Sequence, residues 1–120
     1  MIKIIPDLPD NILGFEASEK VTGKDYETVL IPAVDAKIEE FSKIRLLYQL
    51  GSDFTGYDME AMWDDTKIGF KYLKTWERIA VVTDTDWIRS ATHILGFAMP
   101  GHVRVYKNDE LSIAKAWLSE

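Results

Sequence analysis

The sequence predicts a single α/β domain over residues 1–120, with a mixed five-stranded sheet, helices packed on it, and the order ββαβαβαβα. The first observation is the run Arg78-Ile-Ala-Val-Val-Thr-Asp-Thr-Asp-Trp87, which is almost continuously apolar until it stops at an acidic turn. Strands covered on both faces read this way, because a parallel sheet between helices leaves no face for water. The second is Ile44-Arg-Leu-Leu-Tyr-Gln-Leu50, a similar run that ends at Gly51-Ser52-Asp53. The third is the helix-length segment between the two, which makes a βαβ unit with a right-handed crossover.

The remaining elements follow in order. Ile2–Ile5 reads as a first strand, ended by Pro6 and the turn Asp7-Leu-Pro-Asp10. Asn11–Ser18 alternates Leu13, Phe15 and Ala17 with Gly14, Glu16 and Ser18, the pattern of a half-exposed antiparallel strand. Thr22 is placed as a helix N-cap with Asp25 three residues on. Tyr26, Val29, Leu30, Ala33, Val34, Ile38 and Phe41 then recur at helical spacing, with Pro32 expected to break or kink the helix near Leu30 or Ile31.

After Ile44–Leu50, the residues Gly51–Tyr57 read as a glycine-flanked loop, and a long helix is expected from Asp58 to Leu73. A strand from Trp76 or Glu77 to Asp84 precedes a helix capped by Asp86 and running to Met99. Its apolar stripe is expected to be Trp87, Ala91, Ile94, Leu95 and Ala98. Pro100-Gly101 stops that helix, Val103–Tyr106 forms an edge strand, and Asp109 caps a final helix carrying Leu111, Ala114, Trp117 and Leu118.

Composition excludes several function classes. Fourteen basic against twenty acidic residues give a net charge of −6, which argues against nucleic acid, since duplex binding needs clustered Lys and Arg. The absence of cysteine removes disulfides, thiolate catalysis and thiolate metal sites. With neither a leader pattern nor an apolar run of spanning length, the expected location is cytoplasmic. The four tryptophans, Trp63, Trp76, Trp87 and Trp117, are expected to pack in or against the core.

The helix Asp58–Leu73 carries more apolar surface than one contact needs. Met59, Met62, Trp63, Thr66, Gly69, Phe70 and Leu73 make one stripe, while Tyr57, Ala61, Ile68 and Tyr72 make a second. Glu60, Asp64, Asp65, Lys67, Lys71 and Lys74 are left for water. Methionines beside a tryptophan suit an adaptable pocket, because thioethers repack around varied shapes.

No catalytic constellation accompanies it. His93 and His102 have no partner at triad or metal spacing, and no phosphate-cradling glycine motif is present. Asp53, Asp84 and Asp86 fall at the carboxyl edge of the strands, where Mg²⁺ could bind, but turn and cap roles explain them more simply. Capping of the long helix by the loop hydroxyls Ser52 and Thr55 is likewise the simpler account of those residues. No metal, no cofactor and no enzymatic activity are expected.

Short motifs then point to a family. They are Gly23-Lys-Asp-Tyr-Glu27 with Pro32, Ile44-Arg-Leu-Leu47 with Phe54-x-Gly56, Arg78-Ile-Ala-Val-Val82 with Asp84 and Trp87, and Val103-Arg104 before Ala116-Trp-Leu118. In this order they resemble the bacterial SpoIIAA-like family, whose fold is related to STAS domains and similar to CRAL-TRIO lipid carriers. The resemblance implies a non-enzymatic domain with one of two functions. One is binding a small lipophilic ligand, with transient association at the inner membrane. The expected walls are Phe54, Tyr57, Met59, Met62, Trp63, Phe70 and Trp87. The other is a protein-interaction module of the anti-sigma-antagonist kind, with a protein partner or a homodimer on the spare stripe. In that class a phosphorylatable serine follows an Asp after the central strand. Ser52 stands at the corresponding place here, before Asp53 instead of after it.

Overall fold

Five strands pair in chain order, and the alternation of their side chains builds two separate cores. The computed structural model describes every residue of the chain except the side chain of Phe70. Strand β1 (Ile2–Ile4) runs antiparallel to β2 (Ile12–Val21). Then β2, β3 (Ile44–Tyr57), β4 (Trp76–Val82) and β5 (His102–Tyr106) are all parallel neighbours.

One sheet face carries Phe15, Ile44, Tyr48 and Ile79 into a core shared with three helical segments. These are a helical run after β2, then α3 (Met59–Lys71) and α4 (Asp86–Ala98). The opposite face carries Ile12, Leu47, Ala80 and Val82 against Trp117 and Leu118 of α5 (Leu111–Ser119). Parallel crossovers that all step the same way along a sheet put their helices on one side. The last helix is free to cover the other. Arg45 and Arg78 donate to the carbonyls of Leu118 and Trp117, both at 2.6 Å, fixing the end of α5 where its dipole favours cations.

The first helical run begins with α1 (Gly23–Asp25), capped as its sequence predicts. The Thr22 hydroxyl accepts from the Asp25 amide at 3.3 Å, and the Asp25 carboxylate accepts from the Thr22 amide at 2.9 Å. Thr22→Ala should lower unfolding stability by about 1 kcal/mol in a urea titration, the usual size of a lost N-cap. An unchanged midpoint would mean that the tertiary contacts of this segment, and not its cap, hold it in place.

The helix is interrupted at Leu30 and Ile31, where Pro32 is expected to break or kink it. The residues before the proline, Tyr26–Leu30, form a π-helical turn, and α2 (Ile31–Glu40) restarts with Pro32 in its first turn. The wider turn accommodates the amide that proline lacks.

The stretch Gly51–Tyr57 is strand, not loop. Glu19, Lys20 and Val21 of β2 pair with Phe54, Gly56 and Tyr57 across two register shifts. The bulge places Glu19 at φ 55° and Gly56 at φ 145°, and the second suits only glycine. Pairing with a neighbouring strand has overridden the local turn preference of Gly-Ser-Asp. Two caps also differ from expectation. Thr85, not Asp86, precedes α4, and a 3₁₀ turn over Asn108–Glu110 leads into α5 in place of an Asp109 cap.

Candidate ligand-binding cavity

Helix α3 packs mainly on α1 and the π-helical turn, whereas α4 packs mainly on β5. The two helices therefore diverge above the middle of the sheet. Between them lies an apolar cavity of about 380 Å³, within the usual range for small-molecule sites. Leu46 and Val81 of the inner strands β3 and β4, with Val103 of the edge strand β5, form its floor and stay only partly buried.

One wall is Met62, Asp65, Thr66 and Gly69 of α3, at helical spacing, with Leu73 of the turn that follows it. The other is Ile88, Ala91, Thr92, Leu95 and Met99 at the α4 side. Of the stripe expected for α4, Trp87, Ala91, Leu95 and Ala98 line this cavity and Ile94 does not, so the stripe meets a cleft and not a packed core. The buried residues of α4 are Ile88 and Thr92, while Trp87, Ala91, Ile94, Leu95 and Ala98 are exposed. Thr92 can face inward because its hydroxyl donates to the Ile88 carbonyl at 2.7 Å, leaving only its methyl to be buried.

A chain of hydroxyls closes one end of the cavity. The Tyr26 hydroxyl donates to Asp65 Oδ1 at 2.7 Å and lies 2.9 Å from that of Tyr48, to which Tyr57 donates at 3.2 Å. Tyr48, Tyr57 and Asp65 line the cavity directly, whereas Tyr26 is fully buried behind them. Desolvation raises the Asp65 pKa above that of an ordinary carboxylate, and the Tyr26 hydrogen bond opposes that rise. By surface area Asp65 is exposed, but it lies on the cavity wall with protein packed around it, and this accounts for both properties. Burial first, and the Asp65 charge with it, pushes the three phenols above their ordinary range, so all remain neutral hydroxyls.

The family model named SpoIIAA-like matches residues 12–119. The chain belongs to the SpoIIAA-like family. A solved structure with a SpoIIAA-like fold supports the same conclusion. It is an uncharacterised protein of the DUF3478 family from Shewanella loihica, 27% identical, with a TM-score of 0.75. The match covers 98% of this chain and 92% of that one. No curated protein matches.

Within this SpoIIAA-like fold, the residues expected to wall a pocket do not all reach the cavity. Tyr57, Met62 and Trp87 line the cavity. Phe54 is partly buried beside it, its ring edge-on to Tyr57 at 5.1 Å between centroids. Met59 and Trp63 point outward, the tryptophan 63% exposed. Phe70 lies outside the described residues. Trp76 and Trp117 are buried, so the tryptophans split evenly between core and surface.

Ser52 is exposed within β3 and does not stand at a helix N-terminus. Neither Ser52 nor Thr55 caps α3. Asp58 does so, accepting from the Ala61 amide at 2.7 Å and also from the Gly23 amide at 3.2 Å.

Asp84 accepts from the amide and the side chain of Asn108, which ties β4 to the start of the last helical segment. These bonds lower its pKa, as expected for a carboxylate with a structural role. Among the described residues, the carboxylates that approach one another closely are Glu27, Glu60 and Asp64, outside the cavity lining, and not Asp53, Asp84 and Asp86.

Sequence reasoning missed Asp65, Tyr26 and Tyr48. It assigned Asp65 to water with Asp64, yet Asp64 is buried and Asp65 faces the cavity. The signal was present in the helical spacing, because Asp65 follows Met62 by three residues and precedes Gly69 by four on the same face.

Proposed function

We propose that this protein is a non-enzymatic binding protein for a small lipophilic ligand, collecting and releasing it at the cytoplasmic face of the inner membrane. The cavity between α3 and α4 carries this reading. It is apolar, it opens to the surface, and a cluster of hydroxyls with one carboxylate stands at one end, as in sites that orient a ligand. Burial of apolar ligand surface there is favourable by about 25 cal/mol per Å². Among the described residues, no helix is long and apolar enough to cross a membrane, so contact with lipid would be peripheral. The apolar surface for it is at hand, since Ile94 and Phe97 of α4 are 72% and 94% exposed.

The test is native mass spectrometry of freshly purified protein, followed by titration of the stripped protein with a lipophilic dye. A lipid-sized adduct is expected, along with a change in tryptophan emission, because Trp76 and Trp87 line the cavity. A clean apo protein that takes up no dye would remove the reading. Phe97→Asp should leave the melting temperature unchanged, as the side chain contacts little, and should abolish co-sedimentation with liposomes. Retained co-sedimentation would place the membrane contact on another face.

The same exposed residues favour a second reading, a STAS-type interaction module with a protein partner or a second copy on α4. It predicts a dimer or a specific complex that Phe97→Asp dissolves. Ser52, exposed on β3, would be its regulatory position, tested by the partner affinity of Ser52→Asp.

A further inference from the structure

The hydroxyl chain at the end of the cavity has a direction that follows from counting protons. An ionised carboxylate only accepts, so Tyr26 spends its single hydroxyl proton on Asp65 Oδ1. The 2.9 Å contact between Tyr26 and Tyr48 must then be made by the Tyr48 proton, and the 3.2 Å contact between Tyr57 and Tyr48 by the Tyr57 proton. All three protons point toward the carboxylate, an order in which each bond strengthens the next.

The cavity's two threonine hydroxyls are also committed. Thr66 donates to the Met62 carbonyl at 3.0 Å, and Thr92 to that of Ile88. What this end of the cavity offers an occupant is therefore lone pairs, on Tyr57 and on Asp65 Oδ2. The latter has no protein partner among the described residues.

The charge of Asp65 is also unanswered. No lysine, arginine or histidine lines the cavity, and among the described residues Asp65 makes no ion pair. Anionic heads would meet this carboxylate with no donor to hold them. The rings of Tyr57 and Trp87, 6.4 Å apart between centroids, stand at the same end and attract cations through their π faces. The buried donor without a partner, Trp76 Nε1, is remote. Trp76 pairs near Ile44 and Val81 pairs with Tyr48, which puts them roughly 16 Å apart at about 3.3 Å per residue.

We infer that the cavity takes an amphiphile with a cationic, hydrogen-bond-donating head, of the long-chain primary ammonium class. The head sits against Asp65 Oδ2 and the Tyr57 oxygen, and the alkyl body follows the cleft between α3 and α4. This rests on the reading of the cavity as a lipophile site, and the test separates the two.

Stripped protein is titrated with decylammonium, decanol and decanoate, each below its micellar concentration, and followed by calorimetry and tryptophan emission. Decylammonium should bind roughly tenfold or more tighter than the other two, the gain expected of one charge-assisted hydrogen bond in an apolar site. In Asp65→Asn, which keeps the size of the side chain and its acceptor for Tyr26, the ratio of amine to alcohol affinity should fall toward one. Equal binding of all three would overturn the preference for a cation and leave the lipophile reading standing. No binding by any of them would overturn both. A ratio that persists in Asp65→Asn would also overturn the inference, since the head would then lie elsewhere.

Discussion

Gly69→Leu is expected to stabilise the empty protein and to abolish uptake of lipophiles. Gly69 lies inside α3 and lines the cavity, and a Cβ added there meets nothing within 4 Å. Leucine is preferred to glycine in a helix interior by about 0.8 kcal/mol. Burying its side chain adds about 1.5 kcal/mol or more, reduced where part of it stays wet. The sum is about 2 kcal/mol, which would raise the melting temperature by roughly 8 °C for a domain of this size. The same side chain occupies the space a ligand needs, so affinity should drop by about two orders of magnitude. Thermal denaturation and dye titration of one purified variant read both effects. Stabilisation with undiminished binding would place the ligand outside the α3–α4 cleft, and destabilisation would show that the cleft closes in solution.

A site where filling a void improves stability is one in which folding has been left incomplete, and this explains what the sequence concealed. The strands were legible because covered strands have a distinctive local composition, as in Arg78–Val82, and the cap at Thr22 was legible because its partner is three residues away. The strand at Gly51–Tyr57 was not, because its pairing depends on a bulge in β2 that no local signal announces. On α4 the stripe was legible but what it faces was not, since Trp87, Ala91, Leu95 and Ala98 line the cleft and Ile94 does not. An apolar stripe reports a face shielded from water, and the cleft and the exposed rim at Ile94 and Phe97 are apolar for reasons other than core packing. Asp65 was hidden for the opposite reason. A charged residue on an amphipathic helix reads as solvated until the fold supplies a buried hydroxyl to meet it, and here that hydroxyl comes from Tyr26, far away in sequence.

That pairing gives the other large effect, a loss of about 2–3 kcal/mol in Tyr26→Phe at neutral pH. The ring is fully buried and phenylalanine fills the same space, so packing changes little and the hydroxyl carries the difference. Its removal leaves Asp65 Oδ1 without a donor and the Tyr48 proton without an acceptor, and hydrogen bonds to charged groups are worth about 1.5–3 kcal/mol. The loss should depend on pH in a defined direction. Burial raises the Asp65 pKa in the folded protein, so folding favours the protonated acid. This contribution is fully present below the ordinary carboxylate value of about 4 and is lost as pH rises through the folded value. Tyr26 opposes that loss by stabilising the ionised form. Without its hydroxyl the folded pKa rises further, and the penalty of Tyr26→Phe grows between acid and neutral pH. Urea denaturation of the wild type, Tyr26→Phe, Asp65→Asn and the double variant, at pH 4 and pH 7, isolates the coupling. The coupling between the two positions should be larger at pH 7 than at pH 4, because only the ionised carboxylate depends strongly on the tyrosine. Coupling that is the same at both pH values would mean that Asp65 stays protonated in the folded protein. The carboxylate in the cavity would then be a neutral hydrogen-bonding group, with no charge to offer a cationic ligand.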